Sequence, residues 1–133
     1  MSEDEILLQD EYVSAFPETL PFWRAAAAGV FVVPRCKDCG KTHWHPRAHC
    51  PFCRSADLAW EPASGRGTVH SFTIVRRPDA PYILAYVKIE EGPILMTNIV
   101  DCALDAVRIG MPVLAGFRAT PEGRRAPVFR LAD

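Results

Sequence analysis

The chain has 133 residues, 49% hydrophobic and 23% charged, with a formal net charge of −1. That length suits one ordinary domain or two small units sharing a core, and the composition is that of a globular protein rather than a disordered or fibrous one. No apolar run approaches the roughly 18 residues of a membrane-spanning helix, the acidic start Met1-Ser2-Glu3-Asp4-Glu5 is opposite in charge to a secretory leader, and the expected location is the cytoplasm.

Residues 1 to 16 hold a small apolar cluster, Ile6, Leu7, Leu8, Tyr12 and Val13, without clean periodicity, which reads as a short helix resting on a neighbour or as a frayed end. Six of the sixteen acids, Glu3, Asp4, Glu5, Asp10, Glu11 and Glu18, precede Arg24, the first basic residue, leaving ten acids against fifteen Lys and Arg. The body is therefore mildly cationic. That suits a phosphorylated small molecule or an acidic partner and falls short of the basic stripe of a nucleic-acid binder.

From Thr19 to Gly29 the signals converge on a helix: Thr19 as cap, Pro21 in the first turn, Ala25 to Ala28 as strong helix formers and Gly29 as the stop. Phe22 and Trp23 are large for so short an element, and either fill its junction with the next element or touch a ligand. Phe31, Val32 and Val33 form a strand leading into the cysteine-rich stretch.

Cys36-Lys37-Asp38-Cys39-Gly40 is answered ten residues later by Cys50-Pro51-Phe52-Cys53. Four thiolates in two Cys-x-x-Cys pairs supply the number and geometry of a closed structural Zn²⁺ site, with iron as the lesser alternative. Gly40 suits the tight turn after the first pair because glycine tolerates positive φ. Arg54 holds the matching place after the second pair, a less comfortable choice. The competing readings are weaker. A fifth cysteine, Cys102, and the lack of a leader argue against a disulfide framework. A thioredoxin-like redox site uses one pair at a strand-to-helix turn, whereas Pro34 and Gly40 frame a loop. Free structural cysteines are the bland option. His43, His45 and His49 lie between the pairs and could replace a sulfur, although four sulfurs are already present.

Leu58 and Trp60 lead to Pro62-Ala63-Ser64-Gly65-Arg66-Gly67, where the internal boundary falls. The predicted division is a helical segment over 1–33, a zinc ribbon over 34–62 and a barrel over 63–133. The barrel segment holds five short strands: Thr68 to Val75, Tyr82 to Ile89, Ile94 to Val100, Val113 to Thr120 and Val128 to Leu131, with Glu90-Glu91-Gly92-Pro93 as a hairpin turn. Five strands in about seventy residues fit a small closed barrel, which removes exposed edges. A possible bulge at Gly65-x-Gly67 and the Gly110-Met111-Pro112 approach to the fourth strand favour an OB-fold; an SH3-like barrel is the alternative.

Phe22-Trp23, the paired cysteines, Gly65-Arg66-Gly67-Thr68-Val69, Gly92-Pro93 and Ile109-Gly110-Met111-Pro112-Val113 together resemble the zinc-ribbon/OB-fold family associated with acyl-CoA metabolism, from Thr19 to the C-terminus. The resemblance implies a mainly β protein: an N-terminal helical segment, a rubredoxin-like ribbon and a C-terminal OB-fold. It implies Cys36, Cys39, Cys50 and Cys53 as zinc ligands, with Arg54 departing from the usual glycine. It further implies a thiolase-superfamily enzyme or acyl-CoA hydratase as partner.

A catalytic constellation is hard to find in the sequence. Cys102 is a candidate nucleophile, but Asp101-Cys102-Ala103 reads as a strand end and a lone structural cysteine is the simpler account. His70 and Ser71 point to opposite faces of one strand. Gly65-x-Gly67 precedes a strand, the wrong context for a phosphate-binding loop. The expected function is a non-catalytic scaffold subunit that docks on an acyl-CoA enzyme and helps hold acyl-CoA, with Phe22 and Trp23 toward the acyl or pantetheine part and Arg76 and Arg77 toward phosphates or the partner. One alternative is a single-stranded nucleic-acid binder using Phe72, Tyr82, Tyr86, Arg76 and Arg77. The other is an acyl-CoA-transforming enzyme in its own right, dependent on Cys102.

Overall fold

The computed structural model describes residues 2–132; Met1 and Asp133, the outer limits of the expected division, lie outside the described residues. Two short helices open the chain, α1 (Glu3–Leu7) and α2 (Glu11–Ala15). Each has a side-chain cap: Ser2 accepts from the Glu5 N–H and Asp10 from the Tyr12 N–H. Between them they bury one side chain, Val13. They are held instead by ion pairs, Asp4 to Arg24 at 2.8 Å and Asp10 to Arg124 at 2.6 Å.

A 3₁₀ turn, Pro17–Thr19, runs into α3 (Leu20–Ala27), whose inner face is Phe22, Trp23 and Ala26. Thr19 does not cap α3. Its hydroxyl donates to the Phe16 carbonyl at 2.6 Å and accepts the Trp23 Nε1–H at 3.0 Å, fixing the indole instead. The stop is as expected: Gly29 has φ +80°, its N–H donates to the Ala26 carbonyl, and the Val30 N–H reaches back to Ala25.

Strand β1 (Val32–Cys36) pairs antiparallel with β2 (Leu58–Pro62), and the stretch of chain that joins them carries the cysteine loops. The remaining strands, β3 (Arg66–Val75), β4 (Tyr82–Ile89), β5 (Ile94–Val100), β6 (Pro112–Ala119) and β7 (Arg125–Leu131), close in the order β3-β4-β5-β7-β6. The first barrel strand pairs with the fourth, and the third runs parallel to the fifth. This connectivity is that of an OB-fold and excludes the SH3-like alternative.

One detail of the barrel differs from the sequence reading. The β3 bulge falls between Val69 and Ser71, not at Gly65-x-Gly67. It shifts the strand's phase, so that Gly67 and Val69 face the core before it and Phe72 and Ile74 after it, as β3 leaves β6 and coils along β4. Gly67 is needed for close approach: a Cβ there would meet Val87 Cγ1 at 2.7 Å and the Lys88 carbonyl oxygen at 2.8 Å.

One apolar core runs from Val13 and α3 through Phe31, Val32 and Val33 into the barrel, where Val69, Val87, Leu95, Val113 and Phe129 are buried. Phe31 is the hinge pin of this continuity. Its ring centroid lies 5.9 Å from Phe22, 5.7 Å from Trp44, 6.5 Å from Phe117 and 6.2 Å from Phe129, so helix, ribbon and barrel meet on one aromatic side chain.

Candidate metal centre and junction cleft

The two cysteine pairs form matching knuckles. In the first, the Cys39 N–H donates to Cys36 Sγ at 3.5 Å, the Gly40 N–H to the Cys36 carbonyl at 2.9 Å and the Cys36 N–H to Lys41 at 2.9 Å. In the second, the Phe52 N–H donates to Cys50 Sγ at 3.4 Å, the Arg54 N–H to the Cys50 carbonyl at 2.9 Å and the Cys50 N–H to Ser55 at 2.8 Å. The turn demands the same left-handed residue in both: Gly40 has φ +77° and Arg54 φ +70°. Ser55 ties the knuckles together, its hydroxyl donating to the Asp38 carboxylate and accepting the Asp57 N–H at 3.0 Å.

All four sulfurs lie within 4.8 Å of one another, with Cys36 and Cys53 at 3.5 Å and Cys39 and Cys50 at 3.7 Å. Four sulfurs about 2.3 Å from a central ion stand roughly 3.8 Å apart at tetrahedral angles, so the cluster has the size of one zinc site. Its acid–base behaviour also fits a cation. The Cys36 thiol is lowered to about 7, first by the Cys39 N–H. Cys53 is pushed up to about 12: the Ser55 N–H pulls it down, and the contact with Cys36, then burial and the other two thiols outweigh that pull. Crowded thiols resist joint ionisation, and a divalent cation is what makes four thiolates compatible. Among the described residues no histidine joins this cluster. His43 is buried, 3% exposed, with neither ring nitrogen hydrogen-bonded, and burial followed by Arg47 lowers its pKa.

A second feature lies where α2, α3, the ribbon and β5 converge. A cleft of about 540 Å³ is walled by Phe22, Trp23 and Trp44 on one side and Ile94 to Asn98 on the other, with His45, Arg47, Tyr12 and Arg124 at its edges. The aromatic wall is tightly knit: Phe22 meets Trp23 at 5.0 Å and Trp44 at 5.3 Å, both edge to face. Arg124 lies 4.9 Å from the Tyr12 ring and 4.8 Å from that of Trp23, and its Nη1 donates to Asp10. Burial, then Arg47, lowers the His45 pKa, with Glu18 opposing, so the imidazole stays neutral near pH 7. Two lining hydroxyls, Thr19 and Thr97, donate to main-chain carbonyls.

The structure brings Phe22 and Trp23 into this cleft, at 1% and 7% exposure, and leaves Arg76 and Arg77 on the exposed β3–β4 loop, where Arg77 covers the Tyr82 ring at 5.7 Å. Arg47 supplies a cation at the cleft's edge, beside Arg124, which is paired with Asp10; the sequence reading passed over both arginines and gave no site role to Tyr12, Trp44 or β5. A Trp-His pair between two metal-binding knuckles was the available signal. Cys102 is half-buried against the core after β5, its pKa raised by burial and then by Asp101, and it does not line the cleft. Phe72 packs onto the core. Among the described residues no helix is long and apolar enough to cross a membrane.

Comparison with known proteins agrees with this architecture. The ChsH2 rubredoxin-like zinc ribbon domain matches residues 23–59, and the ChsH2 C-terminal OB-fold domain matches residues 60–118. A DUF35 domain-containing scaffold protein of Methanocaldococcus jannaschii is 37% identical over 95 residues, covering 66% of this chain and 67% of that protein. A probable enoyl-CoA hydratase alpha subunit of Thermomonospora curvata is 36% identical over 117 residues, covering 84% of this chain; the chain spans 37% of that subunit's length. A chain in the solved structure of an Ltp2-ChsH2(DUF35) aldolase is 36% identical with a TM-score of 0.75, covering 86% of this chain and 94% of that one. The four cysteines are thus positioned for structural zinc within a rubredoxin-like ribbon. The chain belongs to the DUF35 family, in its ChsH2 form of a zinc ribbon followed by an OB-fold.

Proposed function

We propose that this chain is a non-catalytic, zinc-stabilised scaffold subunit that docks on a thiolase-superfamily or hydratase-type acyl-CoA enzyme and holds the acyl thioester in the junction cleft. Cys36, Cys39, Cys50 and Cys53 hold the metal, which supplies rigidity to the ribbon and leaves no position open for chemistry. The observation that carries the reading is the cleft itself, an apolar, aromatic slot of about 540 Å³ with Arg47 and Arg124 at its edge. Such a slot matches an acyl or pantetheine chain followed by phosphates. Phe22 and Trp23 face the acyl or pantetheine part. Arg76 and Arg77, outside the cleft, are assigned to the partner enzyme. Two of the lining hydroxyls, those of Thr19 and Thr97, already serve main-chain carbonyls, which favours holding over turnover. The names of the relatives, a hydratase subunit and an aldolase assembly, support the class of partner, and a cytoplasmic site follows from it.

Tyr86 and Met96 form an exposed cross-strand pair on the barrel, a feature that favours single-stranded nucleic acid. Affinity isolation from the host with mass spectrometry of proteins and small molecules separates the two. Recovery of a condensing or hydratase enzyme together with CoA esters is the expected result, and recovery of nucleic acid alone would overturn it. Turnover of acyl-CoA by the isolated chain, abolished in Cys102→Ala, would instead make it an enzyme.

A further inference from the structure

The two arginines at the cleft differ in what they already hold. Arg124 is committed to Asp10 at 2.6 Å and lies against the rings of Tyr12 and Trp23. Among the described residues no carboxylate pairs with Arg47, which is exposed. Its charge reaches the neighbouring imidazoles, adding to burial in lowering the pKa of His43 and His45. The loop that carries it is fixed along its length: the His43 N–H donates to the Pro34 carbonyl at 3.2 Å, Pro46 is buried, and Cys50 anchors the far end in the metal site. A backbone held in this way limits where the guanidinium can reach, so less freedom is lost when an anion binds it.

Arg47 also borders a second hollow. About 500 Å³ in size and open to solvent as the cleft is, it shares Tyr12, Thr19, His45, Pro46 and Arg47 with the cleft and adds Phe16, Glu18 and His49. Phe16 is 48% exposed, with the Tyr12 ring tilted against it at 5.1 Å. Across this surface the order is an aromatic slot, an unpaired cation at the common wall, and an exposed ring beyond it.

We infer that the second hollow receives the nucleotide end of a CoA ester, with Arg47 on the diphosphate and Phe16 against the adenine. The inference rests on the acyl-thioester reading above and extends it to the head of the same ligand. CoA has the matching order along its length: acyl group and pantetheine, then diphosphate, then adenosine. With pantetheine in the cleft, the diphosphate reaches the common wall, where a guanidinium can grip two phosphate oxygens at once. The exposed ring offers the kind of face on which nucleobases stack. Among the described residues Glu18 is the acid lining this hollow. Its carboxylate repels phosphate and can accept a hydrogen bond from an exocyclic amine, so it keeps the base on its own side and the diphosphate toward Arg47.

The test is calorimetric binding of decanoyl-CoA and decanoyl-pantetheine to the zinc-loaded wild type, Arg47→Ala, Arg47→Lys and Phe16→Ala. Wild type should bind the CoA ester about tenfold or more tightly than the pantetheine ester, a margin supplied by one charged contact and one stacked base. Arg47→Ala should cut that margin about fivefold and Phe16→Ala about threefold, and neither should move decanoyl-pantetheine affinity by more than about twofold. Arg47→Lys keeps the charge and loses the planar fork, and should fall between wild type and Arg47→Ala. Elemental analysis and hydrogen exchange verify that the ribbon and α2 stay folded in each variant. A margin that survives either alanine substitution, or no margin in the wild type, overturns the inference and leaves the thioester site standing. Failure of the wild type to bind either ester overturns both.

Discussion

The barrel and the distal ribbon are of one polypeptide and are ordered by different forces. In the barrel, alternating strands bury Val69, Ile83, Val87, Leu95, Ile99, Val113 and Phe129, a core large enough to account for its own closure. Between Cys36 and Asp57 the buried residues are Cys36, His43, Pro46 and Cys50. Two of these are thiols aimed at a metal, and one is an imidazole without a hydrogen-bond partner. A segment with that interior folds because an ion holds its ends together. The junction cleft spans both regions, taking Trp44, His45, Pro46 and Arg47 from the metal-ordered side and Ile94 to Asn98 from the core-ordered side. A ligand site placed there inherits the stability of each.

The sharpest break in this contrast is Cys50→Ser. Structural zinc in small fingers binds with about 10 kcal/mol or more, nearly all of it expressed as folding. The variant should lose its metal equivalent by elemental analysis and lose amide protection over residues 36–57, while residues 66–131 stay protected. A full equivalent of metal in this variant would contradict the ligand assignment. Gly67→Ala attacks the other side. The added methyl drives into Val87 and the Lys88 carbonyl, and overpacking of that kind costs about 1–3 kcal/mol. Chemical denaturation should show the loss, with metal content unchanged. The smallest effect is a gain. Arg54→Gly relieves a left-handed non-glycine residue, which costs roughly 1–2 kcal/mol, partly offset by glycine's greater freedom when unfolded. A net stabilisation near 0.5–1 kcal/mol should appear as tighter resistance to a chelator.

The regions also differ in how openly the sequence declares them. The ribbon was legible from spacing alone because cysteine pairs constrain their own neighbourhood, down to the discomfort of Arg54. Strands β4 and β5 were read to the residue, since alternation from Tyr82 and the Glu90-Glu91-Gly92-Pro93 turn leave one register. Strand β7 begins earlier than expected, at Arg125, because Pro127 reads as a break. Proline is tolerated there: β7 pairs with β5 only at Phe129 and Arg130, so Pro127 has one strand neighbour, Phe117 on β6. The bulge at His70 carried no glycine to mark it. The cleft was invisible for a different reason. Its walls come from residues near 12, 22, 44, 96 and 124, brought together by barrel closure and by Phe31 rather than by any local pattern. Arg76 and Arg77 attracted notice as adjacent charges, while the arginines that reach the cleft stand in unrelated segments.

Decanoyl-pantetheine binding, measured by calorimetry on the zinc-loaded chain and again after chelation, addresses the joint site most directly, with hydrogen exchange confirming that the barrel stays folded in both. Affinity should fall by about tenfold or more on chelation, because the wall carrying Trp44, His45 and Arg47 is lost with the ion. Equal affinity in the two states would contradict it, placing the ligand on the barrel alone and leaving the ribbon no part in holding it.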